Sequence, residues 1–267
     1  MNAIVAKGMR IVREGTVVVD TSSFTIPTAS TVAVIGPNGS GKSSILHAIT
    51  GLLAVDQGQL MVLGKKPEEA LSDVAYVLQY MPITPGIPMT VREVVRMGRF
   101  ATRGALRRLR ANDKQRVRDA MEQLDIVDLA SRNIHQLSGG QRQRVFVAQA
   151  LAQDHSMLLL DEPLTGMDVP SAKVIDQIIH DEPERGCTVV YTTHDLEEAR
   201  SADYVLLMAG RVVASGAPDG VLTAEHLAAA YGLGALHPEH GPEETVLDVI
   251  HDDPTDGREV FSRRRMP

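Results

Sequence analysis

Short apolar runs without polar alternation recur along the 267-residue chain, at Thr31–Ile35, 74–78, Met157–Leu160, 187–191 and Tyr204–Met208. A strand with one wet face alternates apolar and polar residues, so these runs predict strands buried on both faces, as in a parallel sheet with helices either side. The first run feeds a glycine-rich loop, and residues 43–53 then read as a helix closing near Gly51. Between 74–78 and Met157–Leu160 the pattern turns helical. Asn112 with Gln115 three positions on resembles a capping box, and Val117, Ala120, Met121 and Leu124 follow at helical spacing. This predicts an inserted helical lobe. Its approach, residues 81–88, carries Pro82, Pro85 and Pro88, which exclude regular structure and predict a loop or hinge able to transmit motion.

Composition narrows the classes. A formal net charge of −7 argues against coating nucleic acid, which needs a net basic field. Arg92, Arg96, Arg99, Arg103, Arg107, Arg108, Arg110, Lys114, Arg116 and Arg118 nonetheless form a basic segment, read as a solvated helical face or as a surface for anionic lipid or a partner. One cysteine, Cys187, excludes an internal disulfide framework and suits a reducing compartment; its apolar neighbours read it as a small core hydrophobe. No apolar stretch reaches the roughly 18–20 residues of a membrane span, and residues 1–10 lack the centre of a signal peptide, so the expected location is cytoplasmic. After Tyr231-Gly232 the chain becomes polar and rich in Pro, His, Asp and Glu, which predicts a loosely ordered tail; its His237, His240 and His251 are read as solvent-exposed.

The chemistry begins at Gly36-Pro37-Asn38-Gly39-Ser40-Gly41-Lys42-Ser43, which fits the P-loop pattern between a strand and a helix. The glycines let backbone approach phosphate oxygens, Lys42 reaches the β/γ oxygens, Ser43 offers a hydroxyl to Mg²⁺, and Ser44 follows at the helix start. Asp161 and Glu162 end the run Met157–Leu160, where ligands collect at an α/β sheet edge. Asp161 can hold Mg²⁺ and Glu162 can polarise an attacking water. His194, beyond the run at 187–191 and before a helix from Leu196, can bond a γ-phosphate; Gln79 can touch Mg²⁺ or the water. Leu137-Ser138-Gly139-Gly140-Gln141 precedes a helix containing Val145, Val147, Ala148 and Leu151. From the residues alone it is either a second anion site or an ordinary N-cap.

The P-loop, Gln79, Leu137–Gln141 followed by Arg142-Gln143-Arg144, Asp161-Glu162-Pro163 and Thr193-His194-Asp195, in this order, resemble the nucleotide-binding subunits of ATP-binding cassette (ABC) transporters over roughly residues 4–232. The resemblance implies an α/β P-loop NTPase with a RecA-like, mostly parallel core, an N-terminal antiparallel β-subdomain and a helical subdomain, about residues 80–153. The nucleotide-binding domain then spans 1–232 and the tail 233–267. It also implies ATP and Mg²⁺ as cofactors and a head-to-tail dimer sandwiching two ATP molecules. Lys42 and Ser43 are implied to handle phosphate and metal, Glu162 to be the catalytic base and His194 the switch histidine. Ser138 and Gly140 would act in trans, and Asp168, in Leu164-Thr165-Gly166-Met167-Asp168, would communicate between sites. Where relatives stack an aromatic ring on adenine, this chain has Arg13, whose guanidinium can also stack on a base.

The stretches 89–99, 161–168 and 221–232 look like the zinc/manganese/iron uptake branch. The implied function is the ATPase subunit of a divalent-metal importer, held to the inner membrane face by integral membrane permease subunits and served by an extracytoplasmic solute-binding protein. Import of siderophore-iron or another nutrient is the alternative. A soluble non-transport ABC ATPase is a second class; one P-loop and no sustained heptads count against it. A small-molecule P-loop kinase leaves Leu137–Gln141 and His194 without a role.

Overall fold

A computed structural model of the chain describes residues 1–79, 88–100, 104 and 108–232. The tail from 233, the proline-rich approach at 81–87, and Arg103 and Arg107 of the basic segment lie outside the described residues. The strands are β1 (Asn2–Arg13), β2 (Thr16–Pro27), β3 (Thr31–Ile35), β4 (Gln57–Val62), β5 (Val74–Val77), β6 (Met157–Leu160), β7 (Thr188–Thr193), β8 (Tyr204–Met208) and β9 (Val212–Gly216). They form a three-stranded antiparallel sheet, β2-β1-β4, and a six-stranded sheet, β5-β6-β7-β3-β8-β9. All neighbours in the large sheet run parallel except β8 and β9. The principal helices are α1 (Lys42–Ile49), α2 (Val91–Met97), α3 (Ala111–Gln123), α4 (Gly139–Leu151), α5 (Val169–Asp181), α6 (Leu196–Arg200) and α7 (Ala224–Tyr231).

The absence of polar alternation follows from coverage of both sheet faces. Ala33, Ile35, Leu158, Leu160, Val205 and Leu207 point into one core with α2 to α7. Their alternates Val32, Val34, Met157, Leu159, Leu206 and Met208 point into a second core. A strand's side chains change face with period two, so only a strand packed on both sides must be apolar at every position. The second face departs from the simple expectation of helices either side: it is covered by Ile45, Leu46 and Ile49 of α1 together with Ile4, Met9, Ile11, Val19 and Phe24 of the antiparallel sheet.

Other boundaries shift for local reasons. The helix expected over 43–53 runs from Lys42 to Ile49, because Thr50 returns its hydroxyl to the carbonyls of Leu46 and His47 and Gly51 turns left-handed at φ 68°. The strand expected at 187–191 starts at Thr188 and continues to Thr193; that expected at 74–78 stops at Val77. The predicted cap of α3 at Asn112 and Gln115 is displaced. Asp113 instead accepts from the Arg110 amide at 2.9 Å, while Gln115 bonds Asp119 one turn on at 2.7 Å. The reason is Arg99. Its guanidinium is 1 % exposed and reaches Asp113 Oδ1 at 2.9 Å, Asp154 Oδ2 at 2.9 Å and the Ala152 carbonyl at 2.8 Å. One member of the basic segment is therefore a buried tie between α2, α3 and the end of α4, not part of a solvated face.

Candidate nucleotide site

The strand order β5-β6-β7-β3 lines up, along one C-terminal sheet edge, Gln79 after β5, Asp161 and Glu162 after β6, Thr192 to His194 ending β7, and the P-loop after β3. Parallel strands end on the same side, so residues far apart in sequence meet there.

Close packing explains two of the loop glycines. A Cβ on Gly36 would run into the Met208 carbonyl oxygen. Gly41 has φ 98°, and a Cβ there would lie 2.7 Å from the Val18 carbonyl oxygen and 2.8 Å from Val19 Cγ2. Gly41 thus sets the β2 edge directly against the start of α1. Gly39 is also left-handed, at φ 78°, beside the exposed Asn38. Lys42 is buried, and its Nζ donates to the carbonyls of Gly36 at 2.8 Å and Pro37 at 3.2 Å, so the ammonium braces the loop. Burial holds its pKa below the usual lysine value, while Glu162 and Asp161 act in the opposite direction.

Asp161 is buried and multiply held. Its Oδ1 accepts from Thr192 Oγ1 at 2.6 Å and Ser43 Oγ at 3.1 Å. Thr192 Oγ1 in turn accepts from the Glu162 amide at 2.8 Å, so one hydroxyl fixes both acids. Tyr76, whose pKa burial and then Asp161 push up, points its hydroxyl at Asp161 Oδ2 at 3.5 Å. Glu162 has φ 46°, a left-handed conformation costing on the order of 1–3 kcal/mol for a non-glycine residue. That turn sends its carboxylate away from Asp161, where Oε2 accepts from Gln79 Nε2 at 2.7 Å. Two sequential acids therefore serve different places. Asp161 faces the Ser43 hydroxyl; Glu162 faces the mouth of the site.

The remaining expected residues are placed less tightly. His194 is exposed just beyond β7 and has no hydrogen-bond partner among the described residues; Asp195 behind it caps α6 through the Glu197 and Glu198 amides. Arg13 is exposed at the end of the β1–β2 hairpin, and its side chain makes no ion pair or hydrogen bond among the described residues. Pro37, Ser40 and Ser44 follow the loop into α1, with Ser40 buried. Ser138 is the N-cap of α4: its Oγ accepts from the Gln141 amide at 3.2 Å, and Gln141 Oε1 accepts from the Ser138 amide at 3.1 Å. Ser138 and Gly139 are exposed, and no hydrogen bond joins them to the P-loop among the described residues. Gly140 is buried against α5, where a Cβ would lie 2.5 Å from Asp168 Oδ1 and 2.9 Å from Ser171 Oγ. Asp168 caps α5 by accepting from the Ser171 amide at 3.2 Å, and the Ser171 hydroxyl first and that amide second hold its carboxyl below the usual range.

Sequence reasoning missed Thr192 and Tyr76. Thr192 was legible only if the strand had been extended to Thr193. It also missed that Cys187, buried as expected, has His155 and Glu182 beside its thiol.

A family model described as ABC transporter matches residues 19–165. The zinc transport system ATP-binding protein TroB of Treponema pallidum is 39 % identical over 228 residues, covering 84 % of this chain and 85 % of that protein. The manganese transport system ATP-binding protein MntB of Bacillus subtilis is 35 % identical over 211 residues, covering 79 % and 82 %. A chain of an ABC transporter solved in an inward-facing conformation superposes with TM-score 0.76 at 26 % identity, covering 86 % of this chain and 89 % of that one. The chain belongs to the ABC transporter family, as an ATP-binding cassette that carries a P-loop, paired acids and the Leu137–Gln141 stretch in one P-loop NTPase fold.

Proposed function

We propose that this chain is the ATP-hydrolysing subunit of an importer for zinc or manganese, with residues 1–232 forming the nucleotide-binding domain and about 80–153 its helical subdomain. The observation that carries the hydrolytic reading is the pairing of Gln79 with Glu162 beside the Lys42-braced loop. Lys42 exchanges its loop carbonyls for β/γ-phosphate oxygens when ATP enters. Glu162 Oε1, left open by the Gln79 contact, accepts a proton from water aligned with the γ-phosphate, and exposed His194 donates to the phosphate oxygens.

Ser43 Oγ and Asp161 Oδ1, 3.1 Å apart, are hard oxygen donors of the kind that suits Mg²⁺, with the Gln79 amide oxygen as a third. These residues would hold the ion, which supplies charge neutralisation on the phosphates. Arg13 would stack on the base. The capping box leaves the Ser138 hydroxyl hydrogen free to donate, which supports a head-to-tail dimer with Ser138, Gly139 and Gly140 closing on the second copy's ATP. Gly140 packed on Asp168 would carry that closure to α5 and the loop behind Glu162.

The names of the relatives support metal as cargo. No described helix is long and apolar enough to cross a membrane, so transport needs separate permease subunits, and a solute-binding protein would deliver the ion. Cells with and without the intact gene, assayed for uptake of labelled Zn²⁺, Mn²⁺ and ferric siderophore, test the assignment. Loss of Zn²⁺ or Mn²⁺ uptake alone is expected. Loss of siderophore uptake alone, or no change in any uptake, overturns it.

A further inference from the structure

At the opposite, N-terminal edge of the large sheet, three side chains converge that the nucleotide chemistry does not use. His155 precedes β6, Cys187 immediately precedes β7, and Glu182 follows α5; β6 and β7 are neighbours, so the parallel pairing itself brings His155 and Cys187 together. One ligand atom from each residue lies within 4.8 Å of the other two. We propose that His155 Nε2, Glu182 Oε2 and Cys187 Sγ form a Zn²⁺ site, independent of the nucleotide site and of the cargo assignment.

The His155 side chain is 6 % exposed and that of Glu182 7 %, while Cys187 is 4 % exposed. His155 Nδ1 is 2.9 Å from the Gln153 carbonyl oxygen, so Nδ1–H donates there and Nε2 is aimed inward. That backbone bond on the far nitrogen is the arrangement that orients metal-bound histidines. Nε2 is buried without a hydrogen-bond partner, 3.4 Å from Glu182 Oε2 and outside hydrogen-bond alignment. For bonds of about 2.0–2.2 Å in a tetrahedral site, two N/O ligands stand about 3.3–3.5 Å apart, which is the separation found. The second carboxylate oxygen, Glu182 Oε1, accepts from Arg185 Nη1 at 2.7 Å and is thereby fixed.

A cleft of about 460 Å³, lined by His155, Glu182, Gln123, Asp119 and Arg116, gives access and room for a water as fourth ligand. A histidine, a carboxylate and a thiolate suit Zn²⁺; the thiolate disfavours Mg²⁺ and Mn²⁺. Coordination expels the thiol proton, and any proton on Nε2, to solvent.

Cys187 is the chain's one cysteine, so any thiolate signal reports this site even if tail histidines also bind metal. Nucleotide-free full-length protein is titrated with Co²⁺ and followed by absorption. A thiolate-to-cobalt charge-transfer band at one ion per chain is expected, displaced by Zn²⁺ and absent in Cys187→Ser. His155→Gln and Glu182→Gln should each weaken Co²⁺ binding at least about tenfold. ATP turnover with Mg²⁺ should stay unchanged. No band from folded protein, or a band indifferent to His155 and Glu182, overturns the site. Should a glutamine variant unfold, X-ray absorption of the unmutated Zn²⁺ form decides: one sulfur neighbour with nitrogen and oxygen is expected, and a shell without sulfur overturns it.

Discussion

Replacing Arg99 with Met removes the cation that joins three elements. Its bond to Asp113 dominates, because both side chains are out of solvent, at 1 % and 0 % exposure. Taking the cation away from a carboxylate so buried costs up to about 3–5 kcal/mol. The contact with Asp154 adds little: that side chain is 42 % exposed, and a pair so placed is worth about 0–1 kcal/mol. The expected loss is therefore about 4 kcal/mol, or on the order of 10 °C in Tm for a chain of this size. Two controls isolate the cause. Arg116→Met, which breaks the exposed 2.9 Å pair with Asp154, should cost under about 1 kcal/mol. In Arg99→Met/Asp113→Leu the buried carboxylate goes with its cation, so much of the loss should be recovered, less about 1 kcal/mol for the lost Arg110 amide cap. Urea unfolding followed by circular dichroism measures all three, since the chain has no tryptophan. An Arg99→Met variant as stable as the parent would show that the buried pair contributes nothing to holding these elements together.

Ser138→Ala should lose about 1 kcal/mol of stability through the α4 cap and most of its ATP turnover, while monomer ATP affinity stays near the parent's. Ser138→Asp should restore the cap and leave turnover low; recovery of turnover in Asp would mean that Ser138 is only a cap. Gly41→Ala forces a Cβ at φ 98° against the Val18 carbonyl oxygen, and ATP binding by calorimetry should fall at least about tenfold, with unchanged affinity contradicting the packing argument.

The large sheet was legible because every one of its parallel strands is apolar at successive positions, a pattern that only two-sided burial requires. The antiparallel sheet was less so. β1 and β2 carry mixed residues such as Lys7, Arg10, Asp20 and Thr21 on their open face, and these strands were expected from family resemblance alone. The P-loop could be read in place because strand, glycines, lysine and serine are contiguous. Thr192 could not, since its partners Asp161 and Glu162 lie thirty or so residues away and meet it only through β6–β7 pairing. Arg99 looked like one more surface arginine, as nothing local marks Asp113 as its partner across a loop. The same blindness to cross-strand neighbours made Cys187 look inert.

The hydrolytic reading turns on Glu162 as the base of an ATPase. Glu162→Gln keeps the side chain's size and leaves an amide oxygen to accept from Gln79, so the geometry survives while the proton acceptor is lost. Steady-state phosphate release from purified protein should fall by about 10²–10⁴-fold. ATP should remain bound, with the protein held as a dimer. Undiminished turnover in Glu162→Gln would mean that another group takes the proton.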